Sequence, residues 1–167
     1  MNRFGCSTCA TRYRHRRPVR YRTRSEPPGT PAANAASLGV EIEVADGPAV
    51  DVAIDADRLT LVLVNLIENA VKHGRPGGVV FVGVDVSDRR YVRITVDDDG
   101  PGIAGADRER VFALGGRAAT SAKGSGIGLA FVRLILDRAG GRVELEDSPL
   151  GGARFSISLP ALRASAD

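Results

Sequence analysis

Four stretches in which apolar and polar residues alternate, set out as two close pairs, constrain this chain more than any other feature. Residues 78–87 (GVVFVGVDVS) and 89–98 (RRYVRITVDD) are parted only by a polar turn at Asp88. Residues 142–148 (RVELEDS) and 152–160 (GARFSISLP) alternate again around PLGG. Alternation sends every second side chain to one face, and short polar connections make each pair an antiparallel hairpin. Such a sheet has an apolar face that something must cover. The covering elements are legible too. Leu59, Val62, Leu63, Leu66, Ile67, Ala70 and Val71 recur at helical spacing, with Asp57 placed to cap the helix, and residues 128–140 (GLAFVRLILDRAG) form a second helix ending at a Gly140–Gly141 pair suited to a left-handed cap. VEIEV at 40–44 and AVDVAID at 49–55 add two short strands around an Asp46-Gly47-Pro48 turn, and ADRERVFAL at 106–114 can make a short helix. The expected class is α+β: a two-layer α/β sandwich, mostly antiparallel, with its helices on one face.

With 167 residues, 43% of them hydrophobic, the chain has the size of one domain with a core. Residues 38–160 are read as that domain, with short tails at 1–37 and 161–167. The first 37 residues are rich in Arg, Pro, Ser, Thr and Ala without either apolar period, and are expected to be disordered or partner-dependent. Eight of the 23 basic residues lie between Arg3 and Arg24, so the rest of the chain has 15 basic against 20 acidic residues and is mildly acidic. A basic groove on the folded part is therefore not expected, nor sequence-specific nucleic-acid binding. There is no apolar run long enough to cross a membrane and no signal peptide, so a cytoplasmic location is expected. Cys6 and Cys9 form a lone CxxC; without a second pair they cannot close a zinc site, and they are read as incidental reduced thiols.

Three stretches carry candidate chemistry. On the first helix Asn65, Asn69 and Lys72 fall at i, i+4, i+7, one stripe, with Glu68 beside it. Taken alone, the stripe is equally an ordinary solvent face. VDDDGPGI at 96–103 follows a strand and sets a carboxylate before two glycines, which suits close approach to a ligand but also a plain turn. GSGIGLAFV at 124–132 places alternate glycines before a helix start, where exposed N–H groups suit phosphates, although a flexible linker has the same composition.

In order and spacing the three together resemble the ATP-binding catalytic domain of bacterial sensor histidine kinases, in the wider family of gyrase, the Hsp90 chaperone and the MutL repair protein. DADRLTLVLVNLIENAVKHG resembles that family's N box, VDDDGPGI its first glycine box, RVFAL a reduced F box, and the stretch from GSGIGL to the closing hairpin its second glycine box. The resemblance implies the Bergerat ATP-binding fold, with ATP and Mg2+ as ligands. It implies that Asn69 holds the magnesium, that Asn65 and Lys72 reach the phosphates, and that His73 lies near the ribose or adenine. Asp98 would accept from the adenine amino group, with Gly100, Gly102 and Ile103 shaping the purine pocket. Lys123, Gly124, Ser125, Gly126, Ile127, Gly128 and Leu129 would line the phosphates. Residues 114–123 would form a lid, with Arg117 or Lys123 near the γ-phosphate.

ATP-hydrolysing members of that wider family, and anti-sigma-factor serine kinases, carry glutamate four residues before the magnesium-binding asparagine. Here that position is Asn65, as in histidine kinases, and an amide cannot take a proton at neutral pH. Glu68 then stands where it could assist an incoming imidazole. The only histidines are His15, followed by arginines, and His73, so no H-E-x-x-x-P acceptor is present. The expectation is a protein histidine kinase acting on a separate His-containing dimerisation or phosphotransfer protein, with a response regulator downstream. A serine kinase of the anti-sigma type and a non-catalytic ATP-binding module are the alternatives.

Overall fold

The computed structural model describes residues 19–20, 30–47, 50–116 and 126–162. Its elements are β1 (Val19–Arg20), α1 (Pro31–Leu38), β2 (Glu41–Val44), α2 (Ala56–His73), β3 (Val79–Asp85), β4 (Tyr91–Asp98), α3 (Gly128–Arg138), β5 (Arg142–Asp147) and β6 (Ala153–Pro160), with two single 3-10 turns between β4 and α3. The six strands form one sheet in the order β1-β2-β3-β4-β6-β5, in which only the β2–β3 pair is parallel. Both expected hairpins are present, as β3–β4 and β5–β6.

Register explains the core. Val80 pairs with Asp98, Val82 with Val96 and Val84 with Ile94, while Val96 pairs onward with Phe155, Ile94 with Ile157 and Val92 with Leu159. These side chains share one face, and Val62, Leu66 and Ala70 of α2 with Val132 and Leu136 of α3 bury against it at 0% exposure. Each such aliphatic side chain removed from water is worth about 1.5–3 kcal/mol. Phe112 closes one end, its ring edge-on to Phe155 at 6.2 Å. The helices lie on one face of a mostly antiparallel sheet, the expected architecture.

Four local expectations are corrected. Asp55, not Asp57, caps α2: its carboxylate accepts from the Arg58 N–H at 2.9 Å, because the helix begins at Ala56. Residues 50–55 of AVDVAID form no strand; Val52 alone bridges Ala161, since β5 occupies the outer edge of β6 as far as Ser158 and leaves only the last few residues to pair. In place of the helix expected over 106–114 there are two 3-10 turns, Gly105–Asp107 and Arg110–Phe112, as the buried pair Val111 and Phe112 is adjacent rather than spaced by a helical turn. Finally, Pro31–Leu38 form a helix inside the stretch read as a tail. Its signals are caps rather than periodicity: Thr30 accepts from the Ala33 N–H, Pro31 opens the first turn, and Gly39 ends it at φ +68°. Ala35 of α1 is buried in the core.

Candidate functional site

The last turns of α2 carry the polar stripe. Asn65, Glu68, Asn69 and His73 are half-buried and Lys72 is exposed, on the side away from Leu66 and Ala70. Asn65 is held by its own helix, Nδ2 donating to the Leu61 carbonyl at 2.8 Å. Its Oδ1 then faces the start of α3 so closely that a Cβ on Gly128 would lie 2.7 Å away. Among the described residues no side chain caps α3, and the first bond of the helix is Phe131 N–H to the Ile127 carbonyl, so the N–H groups of Gly128 to Ala130, next to Asn65, have no helical partner there. A helix start of this kind carries partial positive charge and suits anions.

The three aspartates ending β4 have three different surroundings. Asp97 turns to the face opposite the helices, where it accepts from Arg154 Nε at 2.7 Å and from Ser148 Oγ at 3.0 Å. Asp99 accepts from the N–H groups of Arg75 at 3.1 Å and Val79 at 3.2 Å, and so fixes the α2–β3 connection. Asp98, 2% exposed, accepts two N–H groups on one oxygen: Gly100 at 2.9 Å and Ala153 at 3.0 Å, both to Oδ1. Oδ2 accepts nothing among the described residues. Because no sealed side-chain oxygen or nitrogen there lacks a partner, Oδ2 must remain open to solvent. A buried carboxylate with one saturated oxygen and one open one is a ready acceptor for a ligand's amino group.

Burial pushes the Asp98 carboxyl above its ordinary value; the two N–H bonds and nearby His73 oppose that shift, and Asp99 adds to it. Burial, reinforced by Lys72, lowers His73, with Asp98 opposing. Asp98 and His73 meet through Gly100, whose Cα lies so close to the His73 carbonyl that a Cβ would overlap it. Gly102, at φ +73°, turns the chain beneath the Gly152 carbonyl. Ile103 packs on the core, and its carbonyl accepts from Arg108 Nε at 3.2 Å.

The structure thus unites Asn65 with Gly128, and His73 with Gly100 and Asp98. Ile127 is exposed, while the Leu129 side chain packs on the core and leaves only its main chain to the stripe. Gly126 sits at φ +65°, and its carbonyl accepts from the Gly115 N–H at 3.1 Å, which joins the start of the expected lid to the residue two before α3. Arg117, Lys123, Gly124 and Ser125 lie outside the described residues, as do His15, Cys6 and Cys9. Sequence reading missed Gly152 and Ala153, the turn and strand start pressed against Asp98; PLGG signals a hairpin turn, and nothing in it signals contact with Asp98. Among the described residues no three His, Cys, Asp or Glu side chains cluster as metal ligands, and no helix is long and apolar enough to cross a membrane.

Comparison with known proteins gives a consistent result. Residues 54–163 match the family described as histidine kinase-, DNA gyrase B-, and HSP90-like ATPase. The chain is 42% identical over 106 residues to the sensor protein kinase CarS of Pseudomonas aeruginosa, covering 64% of this chain and 23% of that one. The ATP-binding domain of PrrB from Mycobacterium tuberculosis superposes with a TM-score of 0.63 at 33% identity, over 80% of this chain and 90% of that one. Full-length ShkA in complex with AMPPNP does so at 0.69 and 33%, over 80% of this chain and 28% of that one. The chain therefore spans about a quarter of the length of the curated relatives it matches.

Proposed function

The chain belongs to the histidine kinase-, DNA gyrase B- and HSP90-like ATPase family, as an ATP-binding domain of the sensor histidine kinase type, and on that premise we propose that it binds Mg-ATP and passes the γ-phosphate to a histidine on a separate partner protein. The catalytic unit is residues 38–160. Asp98 Oδ2 accepts the adenine amino group, with Gly100, Gly102 and Ile103 forming the rim of the base pocket and His73 beside it. Asn65, Lys72 and the uncapped start of α3 receive the phosphates, joined by Lys123, Gly124, Ser125 and Gly126.

The donor set fits magnesium of one kind only. One amide oxygen on Asn69, with no carboxylate cluster beside it, suits a hard cation that takes its other ligands from phosphate and water. When bound, magnesium supplies neutralisation of phosphate charge. The chain's own residues orient the phosphates and place an amide, Asn65, where hydrolases of the wider family hold the base for water; Glu68 stands beside Asn69 to take the proton of an incoming imidazole.

Asn65 carries the reading. At the phosphate end a hydrolase needs a group that can accept a proton from water, and here there is an amide already committed to the Leu61 carbonyl. Transfer to an acceptor is left as the chemistry. The exposed stripe of Ile127, Phe131 and Leu134 along α3, at 54%, 43% and 45%, offers an acceptor helix an apolar seat beside the phosphates. From the phosphohistidine the group passes to a response regulator. Mg-ATP as donor places the reaction in the cytoplasm.

The test is transfer of label from γ-labelled ATP to a separately purified helical dimerisation domain bearing the acceptor histidine. Acid-labile, alkali-stable label on the partner is expected. Acid-stable label on serine supports a serine kinase of the anti-sigma type instead, and retained binding with no transfer to any such domain supports a non-catalytic module.

A further inference from the structure

Asp98 serves base recognition only while one of its oxygens is saturated by the main chain and the other is left open. That division depends on Gly152. A Cβ at this position would overlap Asp98 Oδ1 and come within 2.5 Å of the Asp98 carbonyl oxygen and the Gly100 nitrogen. Oδ1 and the Gly100 nitrogen are the two ends of the bond that fixes the carboxylate, Gly100 N–H to Oδ1. The glycine is not needed for the turn itself: Gly151 takes the left-handed conformation, at φ +98° and with open space around it, whereas Gly152 is buried with φ outside the left-handed range. What position 152 requires is room, and the room is used by Asp98.

The turn cannot retreat to make that room. On the opposite face of β4, Asp97 accepts from Ser148 Oγ at 3.0 Å and from both Arg154 Nε at 2.7 Å and the second guanidinium nitrogen at 3.0 Å, so the hairpin is tied down on either side of Gly152. We propose that Gly152, in this pinned turn, is a positioning residue for base specificity: its missing side chain sets Asp98 so that Oδ1 belongs to the main chain and Oδ2 to the amino group of the bound base. A side chain at 152 rotates the carboxylate out of register. Asn65, Lys72 and α3 at the phosphate end are untouched by it, so the loss falls on the base rather than the phosphates. The inference rests on the reading of this site as an adenine nucleotide site.

The experiment compares affinities of the full chain for ATP and for inosine triphosphate, which has a 6-oxo group in place of the amino donor. Wild type should prefer ATP by about tenfold or more, as expected when a carboxylate loses its donor. In Gly152→Ala, checked for a native circular dichroism spectrum and a cooperative melt, that ratio should fall to within about twofold of one while inosine triphosphate affinity stays nearly constant. A folded Gly152→Ala that discriminates as wild type does overturns the inference. A wild type that binds both nucleotides equally overturns instead the base reading on which it rests. Should Gly152→Ala not fold, Ser148→Ala with Arg154→Lys breaks the paired ties that hold the turn to Asp97 while keeping a cation beside it and adding no atom at 152; there too the ratio must drop, and an unchanged ratio rejects the proposal.

Discussion

Asp97, Asp98 and Asp99 are the same residue three times over, and what separates them is what each faces. Alternation along β4 sends Asp97 and Asp98 to opposite sides of the sheet, and the end of the strand turns Asp99 toward the α2–β3 connection. Sequence reading picked out Asp98 by its place in a recognised glycine box, but gave no reason for the other two, because an ion pair to Arg154 and a bond to Val79 depend on pairings that only the folded sheet makes. The environment of Asp98 has a pH consequence. Its carboxyl titrates above the ordinary 3.8 because burial penalises the charge. The ligand-free protein therefore loses stability as pH rises from below 3.8 through the raised value, while ATP binding, if Asp98 accepts from the base as proposed, should improve over the same interval. Asp98→Asn separates the two effects. Its amide oxygen can keep both N–H bonds, the charge penalty is gone, and a donor now confronts the adenine amino group. Thermal melts across pH should show the ligand-free variant at least as stable as wild type at neutral pH. A nucleotide titration should show affinity lower by about tenfold or more. His73, held neutral by burial, pulls stability the other way as pH falls below 6.5, so the comparison is read as the difference between the two proteins at each pH. A variant that binds ATP as tightly as wild type would remove Asp98 from the site.

At the level of elements, the periods that need a covering partner were legible and the irregular connections were not. α2, α3 and both hairpins have apolar residues at strict spacing, and each buries the face that spacing defines. Residues 50–55 have the spacing of a strand but reach only the end of β6 that β5 leaves unpaired, which no local pattern records. The cap of α2 is a small case of the same kind: the sequence pattern points to Asp57, and the first turn, which begins at Ala56, gives the role to Asp55. Asp55→Ala should lower unfolding free energy by about 1 kcal/mol, and Asp57→Ala by only about 0.3 kcal/mol through the helix dipole alone, in urea denaturation. Equal losses would mean the helix starts elsewhere. α3 carries the functional counterpart. Val132, Ile135 and Leu136 face the core, while Ile127, Phe131 and Leu134 leave a second apolar stripe in solvent. If that stripe seats the acceptor helix, Phe131→Glu with Leu134→Glu should leave ATP affinity within about twofold and abolish most transfer, since charges placed in an apolar contact are costly to desolvate. Undiminished transfer by the double variant would move the acceptor to another surface.

For the molecule as a whole, the site is built where separate parts of the chain converge: the end of α2, the end of β4, the β5–β6 turn and the start of α3. No two of these are neighbours in sequence, so a nucleotide that bridges them would add a link between elements already joined through the core and by bonds such as Ala153 N–H to Asp98, and its binding should raise the stability of the whole. At a concentration of 100 times Kd the gain is about 2.7 kcal/mol, several degrees in melting temperature for a domain of this size. The proposed magnesium site divides that gain. Asn69 supplies a single amide oxygen and the chain offers no acidic cluster among its described residues, so almost no magnesium should bind without nucleotide. Wild type should accordingly show no thermal shift with magnesium alone, a modest one with ATP in a chelator, and the full one with both. In Asn69→Ala the shift produced by ATP should become the same with and without magnesium, whereas in Asp98→Asn the shift should shrink in both conditions and keep its magnesium dependence. Those two patterns assign one residue to the metal end of the ligand and the other to the base. If magnesium dependence persists at full strength in Asn69→Ala, the cation is held by phosphate alone and Asn69 loses its proposed role.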